Sequence, residues 1–89
     1  MNTEQRKFIE QLYFEMHEAL IIYACSSLEE EALAEEAVQE TFRIACQKPE
    51  DLHESQNPKG WIVNTLKNTI RNMKRSRESA RQLLSRYLA

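Results

Sequence analysis

The sequence is short of the residues that make tight turns. Glycine occurs once, at Gly60, and proline twice, at Pro49 and Pro58, in a chain of 89 residues. A sheet joined by hairpins needs many such residues, because its short turns require positive φ angles or a fixed φ. The 42% hydrophobic and 29% charged residues are otherwise typical of a globular protein. The sequence therefore predicts an all-α protein, a single domain over residues 1–89 built as a small bundle of three to four helices.

Cysteine and long apolar runs are also scarce. The two cysteines, Cys25 and Cys46, match no metal-binding spacing and are too few for a disulfide scaffold, so we expect reduced, buried thiols. The longest apolar run, residues 19–25, is too short to span a membrane. The N-terminus has no apolar core of the kind found in signal peptides. These absences predict a cytoplasmic protein with no membrane partner.

The residues that catalysis requires are few as well. His17 and His53 are the only histidines, and they stand in no zinc-binding spacing. A single glycine excludes phosphate-binding loops and the GxSxG motif. The many carboxylates cluster on a predicted exposed helix face, where their catalytic value is low. We therefore predict that the protein is not an enzyme and has no catalytic residues, no metal site and no cofactor.

The sequence does contain a strong separation of charge. Residues 1–58 include 13 acidic and 4 basic residues, for a net charge of −9, whereas residues 59–89 include 8 basic and 1 acidic residue, for a net charge of +7. Such asymmetry indicates two partners of opposite charge, or one composite partner with two faces. In the alternative interpretation, the two halves neutralise each other within the bundle.

Apolar residues at spacings of three and four predict the first two helices. The first helix should cover about residues 4–25, and the second about 28–47 after a capping box that begins at Ser27. Five acidic residues between Glu29 and Glu36 repel one another, and a basic partner would relieve that repulsion. The alternative is an ordinary solvated face. The polar stretch 48–58 is predicted to be a loop.

A third helix is predicted to begin at Pro58, with Asn57 as its cap. Its buried side should be Trp61, Ile62, Leu66, Ile70 and Met73. Its other side carries a recurrent set of bases and amides: Asn64, Lys67, Asn68, Arg71, Lys74 and Arg75. Bases at this spacing share one helix face and can neutralise a row of phosphates, while the amides can bind phosphates or base edges. Residues 77–88 form either a fourth helix or an extension of the third.

Trp61 has two possible roles at this point. An aromatic ring beside a basic helix can stack on an unpaired base. Alternatively, the ring anchors the third helix in the core.

Three stretches, residues 8–13, 35–42 and 61–68, carry a resemblance to a known family. They resemble bacterial sigma-70-type RNA polymerase sigma factors, most closely the small extracytoplasmic-function group. Residues 35–42 (EEAVQETF) are similar to the signature of region 2.2. Residues 61–68 (WIVNTLKN), with Arg75 behind them, resemble regions 2.3 and 2.4, and residues 8–13 (FIEQLY) resemble region 2.1. The resemblance implies region 2.1 at about 8–25, region 2.2 at about 28–47, regions 2.3 and 2.4 at about 57–76, and a C-terminal helix at about 77–88.

This resemblance implies a transcription initiation module with two partners. One face of the second helix would dock on the clamp-helix coiled coil of the RNA polymerase β′ subunit. The residues of that face are Glu35, Glu36, Gln39, Glu40 and Arg43. The loop before Trp61 and the helix after it would recognise the melted −10 promoter element and take up a flipped base of the non-template strand. The implied DNA-binding residues are Asn57, Lys59, Trp61, Asn64, Lys67, Asn68, Arg71, Lys74 and Arg75.

The chain also departs from the family pattern. Leu33 and Asn72 stand where the family often has acidic residues, and no segment resembling region 4 follows. We therefore expect either an isolated domain of a longer factor or a shortened relative, which alone binds promoters weakly. An anti-sigma factor is a further candidate partner. The alternative function is a helical protein–protein interaction module, such as a regulator that mimics sigma factors without contacting DNA.

Overall fold

The computed structural model describes residues 1–88. These residues form four helices and no strand: α1 (Thr3–Leu28), α2 (Glu31–Gln47), α3 (Pro49–Glu54) and α4 (Pro58–Leu88). The predicted all-α fold is confirmed. Within residues 1–88, no helix combines the length and the apolar character needed to cross a membrane.

The first helix is longer than predicted at its C-terminal end. It begins with a capping box, in which the side chain of Asn2 accepts a hydrogen bond from the Gln5 amide and the Gln5 side chain accepts one from the Asn2 amide. It ends at Leu28, and the C-cap residue Glu29 has a positive φ of 64°. The predicted capping box at Ser27 is therefore wrong, because Ser27 lies inside α1. The reason is Leu28, which is only 3% exposed and extends the helix to bury its side chain.

The third helix lies where a loop was predicted. In residues 48–58, Pro49 occupies the first turn of α3, a position that needs no backbone N–H donor. Leu52 has no exposed surface and joins the core. A single buried leucine among polar residues leaves no apolar period, which is why the pattern did not predict this short helix.

The fourth helix is continuous over 31 residues. Asn57 caps it as predicted, since its Oδ1 accepts a hydrogen bond from the Gly60 amide at 3.1 Å. Residues 77–88 extend this helix and do not form a separate one, which is the second of the two predicted alternatives. All side chains over residues 74–88 are exposed, so α4 continues beyond the bundle.

The core lies where α1, α2 and α4 pack together, with α3 closing one end. Two ion pairs link α4 to the first part of the chain: Lys59 pairs with Glu15 on α1, and Arg77 pairs with Glu30, the residue immediately before α2. Glu15 lies in the middle of α1 and Glu30 follows its end, and their partners Lys59 and Arg77 occur in the same order along α4. The helices α1 and α4 therefore run in the same direction.

The predicted buried sides of the helices are confirmed for most positions. On α4, Ile62, Leu66 and Ile70 are buried, and Trp61 and Met73 are half-buried. The prediction of two buried thiols is wrong, because Cys25 is half-buried and Cys46 is exposed. Cys46 follows the fully buried Ala45 and therefore lies on the outer side of α2.

Candidate functional site

The exposed side of α2 contains the five residues predicted to bind the polymerase. Glu40 is half-buried and the other four are exposed. The opposite side of the helix is buried in the core, through residues such as Ala37, Thr41 and Ala45. We call this set the acidic face: Glu35, Glu36, Gln39, Glu40 and Arg43. The structure thus brings all five together on one helix surface.

One acidic residue of this face is neutralised within the protein. The Arg43 guanidinium donates two hydrogen bonds to the Glu40 carboxylate, one of them from Nε to Oε2 at 2.7 Å. These bonds hold the pKa of the Glu40 carboxyl below its ordinary value and raise the pKa of Arg43. The uncompensated negative charge of the acidic face therefore comes from Glu35 and Glu36.

The exposed side of α4 contains the bases and amides predicted to bind DNA. All six side chains are exposed, and the opposite side of the helix is buried through Ile62, Leu66 and Ile70. We call this set the basic face: Asn64, Lys67, Asn68, Arg71, Lys74 and Arg75. The Arg71 side chain donates a hydrogen bond to Asn68 Oδ1 at 3.4 Å. Within residues 1–88, none of the four bases forms an ion pair, so their charge is available to a ligand.

Trp61 lies at the edge of the basic face, where its ring partly anchors α4 in the core. Its side chain is half-buried and packs against the core. The same residue lines a depression of about 400 Å³ between α4 and the segment formed by the end of α2 and the start of α3. We call it the Trp61 depression, and its lining residues are Ile44, Lys48, Asp51, Trp61, Asn64, Thr65, Asn68, Thr69 and Asn72.

Several lining residues of the Trp61 depression were missed by the sequence analysis. Lys48 and Asp51 were assigned to a loop, although α3 holds Asp51 beside α4. Asn72 was noted only as a departure from the family pattern. The spacing of four residues between Asn64, Asn68 and Asn72 was a signal for a shared surface, because such residues lie above one another on a helix.

Two predicted DNA-binding residues are engaged elsewhere. Lys59 Nζ lies 3.3 Å from Glu15 Oε2 on α1. Lys59 lies at the start of α4, about two helical turns before Lys67, the first base of the basic face. The Asn57 carboxamide oxygen is occupied as the cap of α4. The structure therefore does not bring Lys59 to the basic face, and Asn57 sits before the helix rather than on it.

The segment that contains both faces matches the model of a known family. The family model described as sigma-70 region 2 matches residues 13–80. The chain belongs to the sigma-70 region 2 family. No curated protein and no solved structure shows a match to it.

Sigma-70 region 2 domains bind RNA polymerase and recognise the −10 promoter element, so this region 2 domain is a transcription initiation module and its family is not one of enzymes. The matched segment includes the acidic face, all of α3 and the basic face, and it ends at Ala80 within α4.

Among residues 1–88, no group of three or more His, Cys, Asp or Glu side chains is arranged to hold a metal ion.

Proposed function

We propose that this region 2 domain, similar to those of the extracytoplasmic-function group, joins RNA polymerase to melted −10 DNA through two separate surfaces. The acidic face docks on the clamp-helix coiled coil of the β′ subunit. The basic face and the Trp61 depression hold the non-template strand. The observation that carries the proposal is the presence of two exposed, oppositely charged faces on two helices of the same bundle.

The charge of the acidic face supports docking on a basic coiled coil. Glu35 and Glu36 are exposed at the centre of a larger acidic segment that begins at Glu29. Like charges at neighbouring helical positions destabilise an isolated helix by a few tenths of a kcal/mol per pair, roughly. A basic partner relieves this repulsion when it binds. Arg43, which is paired with Glu40, places one positive charge among the acidic residues. A partner surface with a matching pattern of positive and negative charges would therefore bind in one orientation.

The basic face supports binding of a single strand through its phosphates. Its four bases recur along about two turns of α4 and have no internal acidic partner within residues 1–88. Each phosphate contact releases counterions, which makes the binding depend steeply on salt. The amides of Asn64 and Asn68 lie between these bases and the Trp61 depression, where they can reach a base edge.

The Trp61 depression supports capture of one unstacked base. It combines an aromatic side chain with three amides, those of Asn64, Asn68 and Asn72. A base can stack on the ring and form hydrogen bonds through its edge. The volume of about 400 Å³ lies in the range of small-ligand clefts. Flipping a base costs a few kcal/mol, roughly, and polymerase docking must offset part of that cost.

A pulldown with the β′ coiled coil tests the docking surface. We expect wild-type protein to bind, and both Glu35→Lys and Glu40→Lys to weaken binding, because each reverses a charge on the acidic face. Glu50→Lys on α3 is the matched control, since it reverses an exposed charge outside that face. Absence of wild-type binding, or equal binding by all variants, contradicts the docking proposal.

Binding of labelled single-stranded −10 DNA at several salt concentrations tests the other surface. Replacing both Lys67 and Arg71 with glutamine should weaken binding and reduce the salt slope by about 0.7 for each lost phosphate contact. Arg81→Gln, on α4 beyond the basic face, is the control. If the β′ coiled coil binds but DNA binding is absent or independent of salt, the protein acts instead as a regulator that mimics sigma factors without contacting DNA.

A further inference from the structure

The C-terminal part of α4 exposes apolar side chains that neither proposed surface uses. The last ion pair that joins α4 to the bundle is that of Arg77 with Glu30, at 3.5 Å. We call the residues beyond it, 78–88, the overhang. Its four large apolar side chains are between 55% and 82% exposed, and they are Leu83, Leu84, Tyr87 and Leu88. Such a cluster on a small protein marks an interaction surface.

The apolar side of the overhang continues the buried side of α4. Ile62, Leu66 and Ile70 follow one another at spacings of four, and Leu84 and Leu88 lie on the same side of the helix farther along. Arg81 and Arg86 border this stripe and are exposed. A stripe with this period is typical of a buried helix side, yet every side chain of residues 78–88 is exposed.

A second exposed apolar surface lies on α1, at the edge of the core. Phe14 and Ile22 are 87% and 63% exposed, and the half-buried Ile21 and Cys25 lie on the same side of the helix. We call these four residues the α1 patch. Glu18 lies between Phe14 and Ile22 at spacings of four, so the edge of the α1 patch is acidic, whereas arginines border the overhang.

We propose that the overhang of one copy packs along the α1 patch of a second copy, and that the second copy returns the same contact. The charges are complementary, because Arg86 of one copy approaches Glu18 of the other, whereas Arg81 is already paired with Glu78 of its own helix at 3.5 Å. The lengths also agree. The overhang is about 16 Å long, and the distance from Phe14 to Cys25 along α1 is about 17 Å.

The direction of the helices allows this reciprocal arrangement. Since α1 and α4 run in the same direction, the overhang projects from the end of the bundle at which α1 terminates. Two copies related by a two-fold axis at that end each extend an overhang beside the other's α1, which gives two identical contacts. The overhang cannot reach the α1 patch of its own chain, because α4 is one uninterrupted helix.

Two other occupants fit the surfaces less well. Pairing of two overhangs would bring arginines of like charge together, with Glu78 as the only acidic residue of either overhang. A membrane surface would accept an arginine-bordered apolar helix, but it would repel the acidic edge of the α1 patch. A second copy accounts for both exposed surfaces at once.

Sedimentation equilibrium of the full 89-residue chain tests the dimer. We expect a concentration-dependent dimer, and a monomer for both Leu84→Glu and Ile22→Glu. Gln82→Glu is the matched control, because it adds the same charge to the side of the overhang away from the apolar stripe, and it should remain dimeric. Circular dichroism checks that each variant keeps its helices, which is expected since the replaced side chains are exposed.

A charge exchange tests the pairing of the two surfaces. Glu18→Arg alone and Arg86→Glu alone should each weaken the dimer, whereas an equal mixture of the two variants should form a heterodimer with both contacts restored. A wild-type monomer at all concentrations overturns the proposal, as does a dimer that survives Ile22→Glu but not Leu84→Glu, which indicates pairing of overhangs. A monomer that cosediments with anionic vesicles through the overhang also overturns it.

Discussion

Lys59 and Glu15 form an ion pair that joins the first turn of α4 to the middle of α1, with 3.3 Å between Nζ and Oε2. The same carboxylate accepts a hydrogen bond from the side chain of Gln11 at 3.0 Å. Exposed pairs of this kind contribute little to stability. The pair instead orients the Lys59 side chain toward α1, and the basic face is formed by residues farther along α4.

The pKa of Glu15 should respond to both of its neighbours. The hydrogen bond from Gln11, followed by Lys59, holds this pKa below its ordinary value. We expect Gln11→Ala and Lys59→Met each to raise the pKa, as measured by NMR titration of the side-chain carboxyl. Because the folded-state pKa is lowered, any contribution to stability is present above the unfolded-state pKa and is lost as the pH falls through the folded-state value. An unchanged pKa in both variants would contradict these contacts.

Lys59 and Lys67 should differ in their contribution to DNA binding. Lys67 lies on the basic face, whereas Lys59 is paired with Glu15 on the side of α4 that faces α1. We expect Lys67→Gln to reduce the salt slope for single-stranded DNA by about 0.7, and Lys59→Gln to change it less. Fluorescence anisotropy at four or more salt concentrations measures both slopes. A larger effect of Lys59 would show that DNA binding breaks the pair with Glu15.

The cap of α4 should depend on the glycine at position 60. Asn57→Ala removes the hydrogen bond to the Gly60 amide and should lower the free energy of unfolding by about 1 kcal/mol. A Cβ added at Gly60 would overlap the Asn57 side chain, so Gly60→Ala displaces the same cap. Urea unfolding of the wild type, the two single variants and the double variant gives a double-mutant cycle in the free energy of unfolding. We expect Asn57→Ala to cost less in the Gly60→Ala background, and full additivity would exclude this coupling.

The short helix α3 should be important for stability because of one residue. Leu52 has no exposed surface, and Leu52→Ala should lower the free energy of unfolding by roughly 2–5 kcal/mol through lost burial and the cavity left behind. Glu54→Ala on the same helix is the control, since Glu54 is exposed. Thermal or urea unfolding compares the two variants. A cost near zero for Leu52→Ala would mean that α3 is not part of the folded core.

The long helices and most of their buried sides were predictable because an apolar stripe repeats over several turns. The position of the basic face on α4 was predictable for the same reason, since residues three and four apart share a helix surface whatever the bundle contains. Short or single-residue features were not predictable. Leu52 gives no period, and Ser27 satisfies a capping pattern that the burial of Leu28 overrides.

The sequence by itself determined the fold class, the family signature and the two charged faces, because each depends on local spacing and composition. The tertiary structure alone decided which of these residues lie together. It placed α3 beside α4 to form the Trp61 depression, paired Lys59 with Glu15, and left the side chains of the overhang exposed. These outcomes depend on contacts between residues distant in the chain, and helical spacing contains no information about such contacts.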